Sequence, residues 1–182
     1  MDKKRLFTEL NNELEKEGIT LEIICVGGFV LEFHHIRATQ DVDAFFHETE
    51  KIKAIIRHVG DRFDANEPDE LWLNNSVANL NRTPPREICE VVFRYPHLTV
   101  LMPPLDYILG MKLDSARERD TQDIATILRL LNATSPTQVL AKLHAYGFHP
   151  DLSLLLEGFE KAYGVRWLAH YLTNHAHELP DA

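Results

Sequence analysis

The chain has 182 residues, 45% of them hydrophobic, and a formal net charge of −9. This length favours one domain with its own core, and the acidic balance argues against a protein that wraps nucleic acid through a general basic surface. No run of about 18 apolar residues predicts a membrane span, and the charged N-terminus lacks the apolar segment of a secretory signal. Cys25 and Cys89 lie far apart in apolar runs and predict buried, reduced thiols, so we expect a cytoplasmic protein.

Predicted helices and strands alternate in the first half of the chain. Leucines at every fourth position predict a helix over 2–17, which Gly18 ends. Short apolar runs predict strands over 21–26, 41–46, 87–93 and 98–101. A short helix over 29–35 is predicted to follow the first strand, and Thr49 is predicted to cap a longer one. Residues 64–86 are predicted to form a loop with one short helix.

The second half is predicted to be helical. Pro103-Pro104 open a long helical region, and the pair Ser135-Pro136 predicts the start of a new helix. An apolar stripe predicts either a core face or the face of a homodimer: Leu152, Leu155, Leu156 and Phe159. The order of elements predicts an α+β fold, a mixed β-sheet flanked by helices. We expect residues 1–133 to form the sheet domain and residues 134–182 a helical C-terminal extension.

The strongest chemical signal combines a glycine pair with a pair of aspartates. Gly27-Gly28 end a strand and open a helix, where bare backbone N–H groups favour phosphate. Asp41 and Asp43 are one residue apart on a predicted strand, so both carboxylates point the same way and suit a hard cation such as Mg²⁺ or Mn²⁺. Arg37 lies just before them, and both a phosphate contact and a salt bridge to either aspartate stay open for it.

Three motifs carry a family resemblance: Gly27-Gly28, Arg37-Ala-Thr-Gln-Asp-Val-Asp43, and Lys112 followed by Arg119-Asp120-x-x-Asp123. They resemble those of the AbiEii-like and minimal nucleotidyltransferases of the DNA polymerase beta-like superfamily, many of which are toxins of toxin–antitoxin systems. The resemblance covers about residues 20–132 and implies a nucleotidyltransferase-like sheet domain. The superfamily more often has Gly-Ser where this chain has Gly-Gly.

The resemblance implies a role for each matching residue. Gly27, Gly28, Arg37 and Thr39 would bind the nucleoside triphosphate, and Asp41 and Asp43 would hold Mg²⁺ or Mn²⁺. Catalytic groups near the nucleotide would be Lys112, Asp120 and Asp123, which helical spacing places with Ala116 and Arg119 on one face of a helix. A third metal carboxylate is usual on an adjacent strand in such proteins. Glu90 is the preferred candidate here, with Glu87 as the alternative.

The function implied is metal-dependent transfer of a nucleoside monophosphate from a nucleoside triphosphate to RNA, such as a transfer RNA end, or to a protein side chain. An antitoxin would be a further partner, and no membrane is expected to take part. A catalytically inactive nucleotide-binding module of the same fold is the alternative, which the absence of a third carboxylate beside Asp41 and Asp43 would favour. A structural partner protein that acts through its C-terminal helices is a third hypothesis.

Overall fold

The computed structural model describes residues 2–77, 82–115 and 120–180. The chain forms two compact units, Met1–Pro104 and Leu105–Ala182. The first unit contains the strands β1 (Leu21–Cys25), β2 (Val42–Phe45), β3 (Leu73–Asn74), β4 (Glu90–Arg94) and β5 (Leu98–Met102), and the helices α1 (Lys3–Lys16), α2 (Gly27–Phe33) and α3 (Glu50–Arg62). The helices of the second unit are α4 (Leu105–Ser115), α5 (Thr121–Leu130), α6 (Pro136–Ala145), α7 (Leu152–Tyr163) and α8 (Val165–His175).

The five strands form one mixed sheet in the order β3-β2-β1-β5-β4. β1 pairs antiparallel with β2 and parallel with β5, β2 pairs parallel with β3, and β4 pairs antiparallel with β5. Ile23 and Cys25 of the central strand β1 are fully buried, which explains why this strand is apolar almost throughout. The sheet and its helices confirm the predicted α+β fold class.

Helices α1 and α3 pack against each other beside the sheet. The leucines that predicted α1, Leu6, Leu10 and Leu14, have at most 2% of their surface exposed. Thr49 caps α3, because its hydroxyl oxygen accepts a hydrogen bond from the Ile52 N–H at 3.2 Å. The two helices and the Thr49 cap are therefore confirmed.

Two strands of the sheet differ from their prediction. β3 lies inside the segment that was predicted as loop, and its two residues are too few to show a strand pattern. Its pairing with β2 and the hydrogen bond from Trp72 Nε1 to the Ile56 carbonyl (3.0 Å) hold it in place. β4 begins at Glu90 rather than at residue 87, because Arg86–Ile88 forms a turn of 3₁₀-helix.

In the second unit, the long helical region after Pro104 consists of two helices. α4 ends at Ser115 and α5 begins after Asp120, while residues 116–119 lie outside the described ranges. The start of α6 is confirmed, because Ser135 accepts a hydrogen bond from the Gln138 N–H at 3.3 Å.

The apolar stripe of α7 faces the interior of the second unit. Helix α7 packs against α5, and Leu155 and Phe159 are fully buried, whereas Leu152 and Leu156 are half-buried. The core interpretation is therefore confirmed for the two fully buried side chains. The homodimer stays a prediction.

Both cysteines are free thiols. Cys25 is fully buried, as predicted, and burial raises the pKa of its thiol. For Cys89 the prediction of full burial is wrong: the residue is half-buried, its Sγ donates to the Pro85 carbonyl (3.3 Å), and burial raises its pKa to about 11. Across the described ranges, the helices lack the combined length and apolarity needed to cross a bilayer.

Candidate active site

Gly27 brings the end of β1 against Asp43 of the neighbouring strand. The Val26 N–H donates to the Asp43 carbonyl at 2.9 Å, which pairs the two chain segments directly before α2. A Cβ added to Gly27 would lie 3.1 Å from Asp43 Oδ2, and Gly27 has φ +57°, a left-handed conformation that favours glycine. Glycine at position 27 therefore allows the Asp43 carboxylate to approach the backbone at the start of α2.

Gly28 makes a similarly close contact with Thr39. A Cβ added to Gly28 would lie 2.6 Å from Thr39 Oγ1 and 2.8 Å from Thr39 Cβ. The same hydroxyl donates to Asp41 Oδ1 at 2.9 Å. A serine at position 28, the residue more common in the proteins whose motifs this chain resembles, would overlap Thr39.

The contact with Thr39 predicts the effect of a small substitution. Gly28→Ala is expected to lower the free energy of unfolding by about 1–3 kcal/mol, the usual range for overpacking. Alanine favours a helix over glycine by about 1 kcal/mol. A lower free energy of unfolding, measured by urea denaturation, would therefore be due to the steric overlap with Thr39. In a Thr39→Gly background the overlap is absent, so the same substitution should raise stability by up to about 1 kcal/mol, and a loss as large as in the wild type would contradict this explanation.

A partly buried ion pair holds the loop that carries Thr39. Lys3 Nζ donates to Glu32 Oε2 and to the Thr39 carbonyl, each at 2.7 Å, and the Thr39 N–H donates to Glu32 Oε2 at 2.7 Å. Burial raises the pKa of Glu32, but the hydrogen bonds from Lys3 and Thr39 outweigh it and leave the pKa below its ordinary value. The sequence analysis did not single out Lys3 or Glu32.

Asp43 has a hydroxyl partner of its own on the segment after β3. Ser76 Oγ donates to Asp43 Oδ1 at 3.1 Å, and Asn74 lies opposite Asp43 in the β2–β3 register. Within the described residues, Asn74 Nδ2 and Asn75 Oδ1 are buried and meet no hydrogen-bond partner. Only the pairing of β3 with β2, which the sequence did not predict, brings Asn74 and Ser76 to Asp43.

A cavity of about 130 Å³ adjoins Asp41. It is lined by Gln40, Asp41, Ala65, Glu67, Glu70, Leu71 and Trp72. Burial raises the pKa of Glu70, and the negative charges of Asp41, Asp43 and Glu67 raise it further. Glu70 therefore lies close enough to feel the charges of the aspartate pair. The sequence does not predict this, because the loop that contains Glu70 carries no recognisable motif.

Glu90 does not fit the predicted third metal carboxylate. Strands β1 and β5 lie between β4 and β2 in the sheet. At about 4.8 Å per spacing between neighbouring strands, β4 is about 14 Å from β2. Val91, Leu101, Ile24 and Phe45 lie in one register row across the sheet. Asp43 lies two residues from Phe45 and Glu90 one residue from Val91, so their side chains belong to opposite faces. The prediction that Glu90 shares a metal with Asp43 is corrected accordingly.

Asp41 and Asp43 supply a donor set that suits a magnesium or manganese ion. Both are partly exposed, and each keeps one carboxylate oxygen oriented by a neighbouring hydroxyl. Mg²⁺ is usually held by one or two carboxylates together with substrate phosphates and water. No three His, Cys, Asp or Glu side chains of the described ranges are grouped to hold a metal. The residues therefore fit a hard cation whose remaining ligands are water or the oxygens of a bound phosphate.

Arg37 lies on the exposed part of the loop between α2 and β2. Its Nη1 donates to the Ala38 carbonyl at 3.5 Å. The choice between a phosphate contact and a salt bridge with the aspartates stays open for this residue.

The second unit contains a separate charged cluster. Lys112 Nζ lies 2.8 Å from Asp120 Oδ1 and 2.9 Å from Asp123 Oδ2, and all three residues are buried. Ser115 Oγ also donates to Asp120 Oδ2 at 3.2 Å. Lys112 is therefore held in a buried ion-pair cluster rather than exposed on the surface of a helix. The prediction of a single helix face is wrong, because Lys112 belongs to α4 and the two aspartates lie at the start of α5. Ala116 and Arg119, which were predicted on the same face, lie outside the described residues.

Comparison with protein families identifies a match that covers most of the chain. The family model described as "nucleotidyltransferase of unknown function (DUF6036)" matches residues 4–144. No curated protein and no solved structure matches the chain with significance. The matched range contains both the aspartate pair and the Lys112 cluster.

Proposed function

We propose that this chain, which belongs to the nucleotidyltransferase family of unknown function DUF6036, transfers a nucleoside monophosphate from a nucleoside triphosphate to an acceptor hydroxyl. One observation carries the proposal: the Asp43 side chain lies beside the glycine pair, and the Thr39 hydroxyl connects Asp41 to it. Asp43 Oδ2 is 3.1 Å from the Cβ position of Gly27, and Thr39 links Asp41 to Gly28.

Each residue of this group has a separate task in the proposal. Asp41 and Asp43 hold Mg²⁺ or Mn²⁺, which when bound neutralises charge on the phosphates. Gly27 and Gly28 offer backbone N–H groups at the start of α2 to the triphosphate, and the lack of a Cβ at these positions lets Asp43 and Thr39 lie directly beside them. The hydroxyl donors on the two carboxylates keep them oriented, so the carboxylates lose less conformational freedom when the substrate binds.

Lys112, Asp120 and Asp123 stay predicted catalytic residues. Their buried ion pairs support a structural role in the second unit, since Lys112 Nζ already contacts two carboxylates. A role near the nucleotide requires that Lys112 exchange one of these partners for a phosphate.

The acceptor is proposed to be a protein side chain or an RNA end. The net charge of −9 favours these over an extended duplex, whose binding depends on many cationic contacts to phosphates. We propose more specifically that the protein is a toxin with an antitoxin partner, and this proposal rests on the resemblance to the AbiEii-like proteins.

Label transfer tests the proposal directly. The protein is incubated with Mg²⁺, each of the four ribonucleoside triphosphates labelled at the α-phosphate, and either total cell RNA or a protein lysate. We expect label in RNA or in protein with the wild type and none with Asp43→Asn. Absence of label from both acceptors, with a folded protein that binds triphosphate, would contradict the proposal.

A catalytically inactive nucleotide-binding module is the second candidate. It is favoured by the lack of a three-carboxylate group among the described residues. This function predicts that ATP with Mg²⁺ raises the melting temperature of the wild type but not of Asp43→Ala, while no label is transferred. Transfer of label excludes it.

A further inference from the structure

We infer that Lys3 and Glu32 are positioning residues that set the orientation of the Asp41 carboxylate through Thr39. The inference rests on the proposed metal site at Asp41 and Asp43. It assigns a role in metal binding to two residues that lie on α1 and α2, outside every motif of the sequence.

The backbone of Thr39 is held at both of its polar groups. Lys3 Nζ binds the Thr39 carbonyl, and Glu32 Oε2 binds the Thr39 N–H, each at 2.7 Å. A third contact of 2.7 Å joins Lys3 Nζ to Glu32 Oε2, with 6% and 31% of the two side chains exposed. Hydrogen bonds that involve charged groups are stronger than neutral ones, so this arrangement fixes the peptide planes on either side of Thr39.

The side chain of Thr39 is fixed by what surrounds it. Its Cβ and Oγ1 pack against Gly28, at a distance that excludes any side chain there. The hydroxyl has one proton to donate, and it donates this proton to Asp41 Oδ1 at 2.9 Å. One Asp41 oxygen is thereby oriented by protein, and hydrogen bonds of this kind align carboxylates that bind metals.

A purely structural role would be to fasten α1 to α2. Such a role needs no lysine, because the main cost of breaking an ion pair comes from leaving one charge without its partner, and replacing both charges together avoids that cost. A substitution that preserves stability but releases Thr39 therefore separates the two roles.

The hydroxyl of Thr39 gives the first test. Thr39→Val keeps the shape beside Gly28 and removes only the hydrogen bond to Asp41, whereas Thr39→Ser keeps the hydroxyl. Binding of Mn²⁺ alone, measured from the electron paramagnetic resonance signal of the free ion, is expected to weaken about tenfold in Thr39→Val, as for other outer-shell partners of metal ligands. Thr39→Ser should bind Mn²⁺ like the wild type.

The ion pair gives the second test. Lys3→Met combined with Glu32→Gln removes both charges, so the midpoint of urea unfolding should stay close to that of the wild type. Mn²⁺ binding should still weaken several-fold, because the Thr39 carbonyl has lost its lysine. Lys4→Met, an exposed neighbour on α1, is the matched control and should change neither quantity.

The outcomes separate this inference from the proposed function. Wild-type Mn²⁺ binding that is lost in Asp41→Asn but unchanged in Thr39→Val and in the Lys3/Glu32 double variant would overturn the inference and leave the metal site standing. Where the wild type binds Mn²⁺ only together with ATP, the same comparison of variants is made with ATP present. A folded wild type that binds Mn²⁺ under neither condition would overturn both.

Discussion

Asp43→Asn is expected to reduce nucleotidyl transfer by about 100-fold or more. Asparagine keeps the shape that fits beside Gly27 but lacks the negative charge that a hard cation requires. A bound metal ion stabilises the transition state of such reactions by several kcal/mol. A change of about 1.4 kcal/mol in the activation free energy corresponds to a factor of ten in rate. The rate of label transfer at saturating Mg²⁺ measures the effect, and Asp41→Asn should act in the same direction.

Glu90→Gln is the matched control for this prediction. It removes one carboxylate from the same sheet, but from the opposite face and from a strand that does not neighbour β2. Its transfer rate should equal that of the wild type. An equal loss in Glu90→Gln, or an unchanged rate in Asp43→Asn, would show that the aspartate pair does not hold the metal.

Lys112→Met is expected to destabilise the second unit by about 3–5 kcal/mol, the range for breaking a buried ion pair by removing one partner. The substitution leaves Asp120 and Asp123 buried without the cation that lies 2.8 and 2.9 Å from them. Urea unfolding, followed by a probe in the second unit, measures the loss. Further replacement of both aspartates by asparagine should recover much of it, because no buried charge is then left unpaired.

Lys16→Met is the control for the effect of lysine loss itself. Lys16 pairs with Glu13 on the surface and has 65% of its side chain exposed, so its substitution should change stability by less than about 1 kcal/mol. A Lys112→Met protein that is as stable as the wild type but inactive would support a direct role of Lys112 at the nucleotide instead.

The elements that sequence reasoning found are those with a repeating apolar pattern. Helix α1 follows from leucines four residues apart, and the strand around Ile23 follows from an apolar run. β3 has no such pattern, because two residues complete no period and only its pairing with β2 defines it. That α4 and α5 are separate helices was missed for a different reason. The spacing of Lys112, Asp120 and Asp123 fits one helix face, and such spacing does not show where one helix ends and another begins.

The candidate site was predictable only where short connections in the chain bring its residues together. The proximity of the glycine pair to Asp43 follows from one strand, one short helix and one return strand. Lys3 was not predictable, because lysine is almost never buried and its partners are 29 and 36 residues away. Glu90 was misassigned because strand order and register decide which face a side chain occupies, and neither is visible in a single sequence.

Because Thr39 packs closely against Gly28, the residues at positions 28 and 39 are expected to change together during evolution. A lineage that acquired serine at position 28 would have to shrink residue 39 or redirect its loop at the same time. The diglycine and the threonine eleven positions later are therefore expected to be inherited together, and their joint replacement would mark a separate branch of the family.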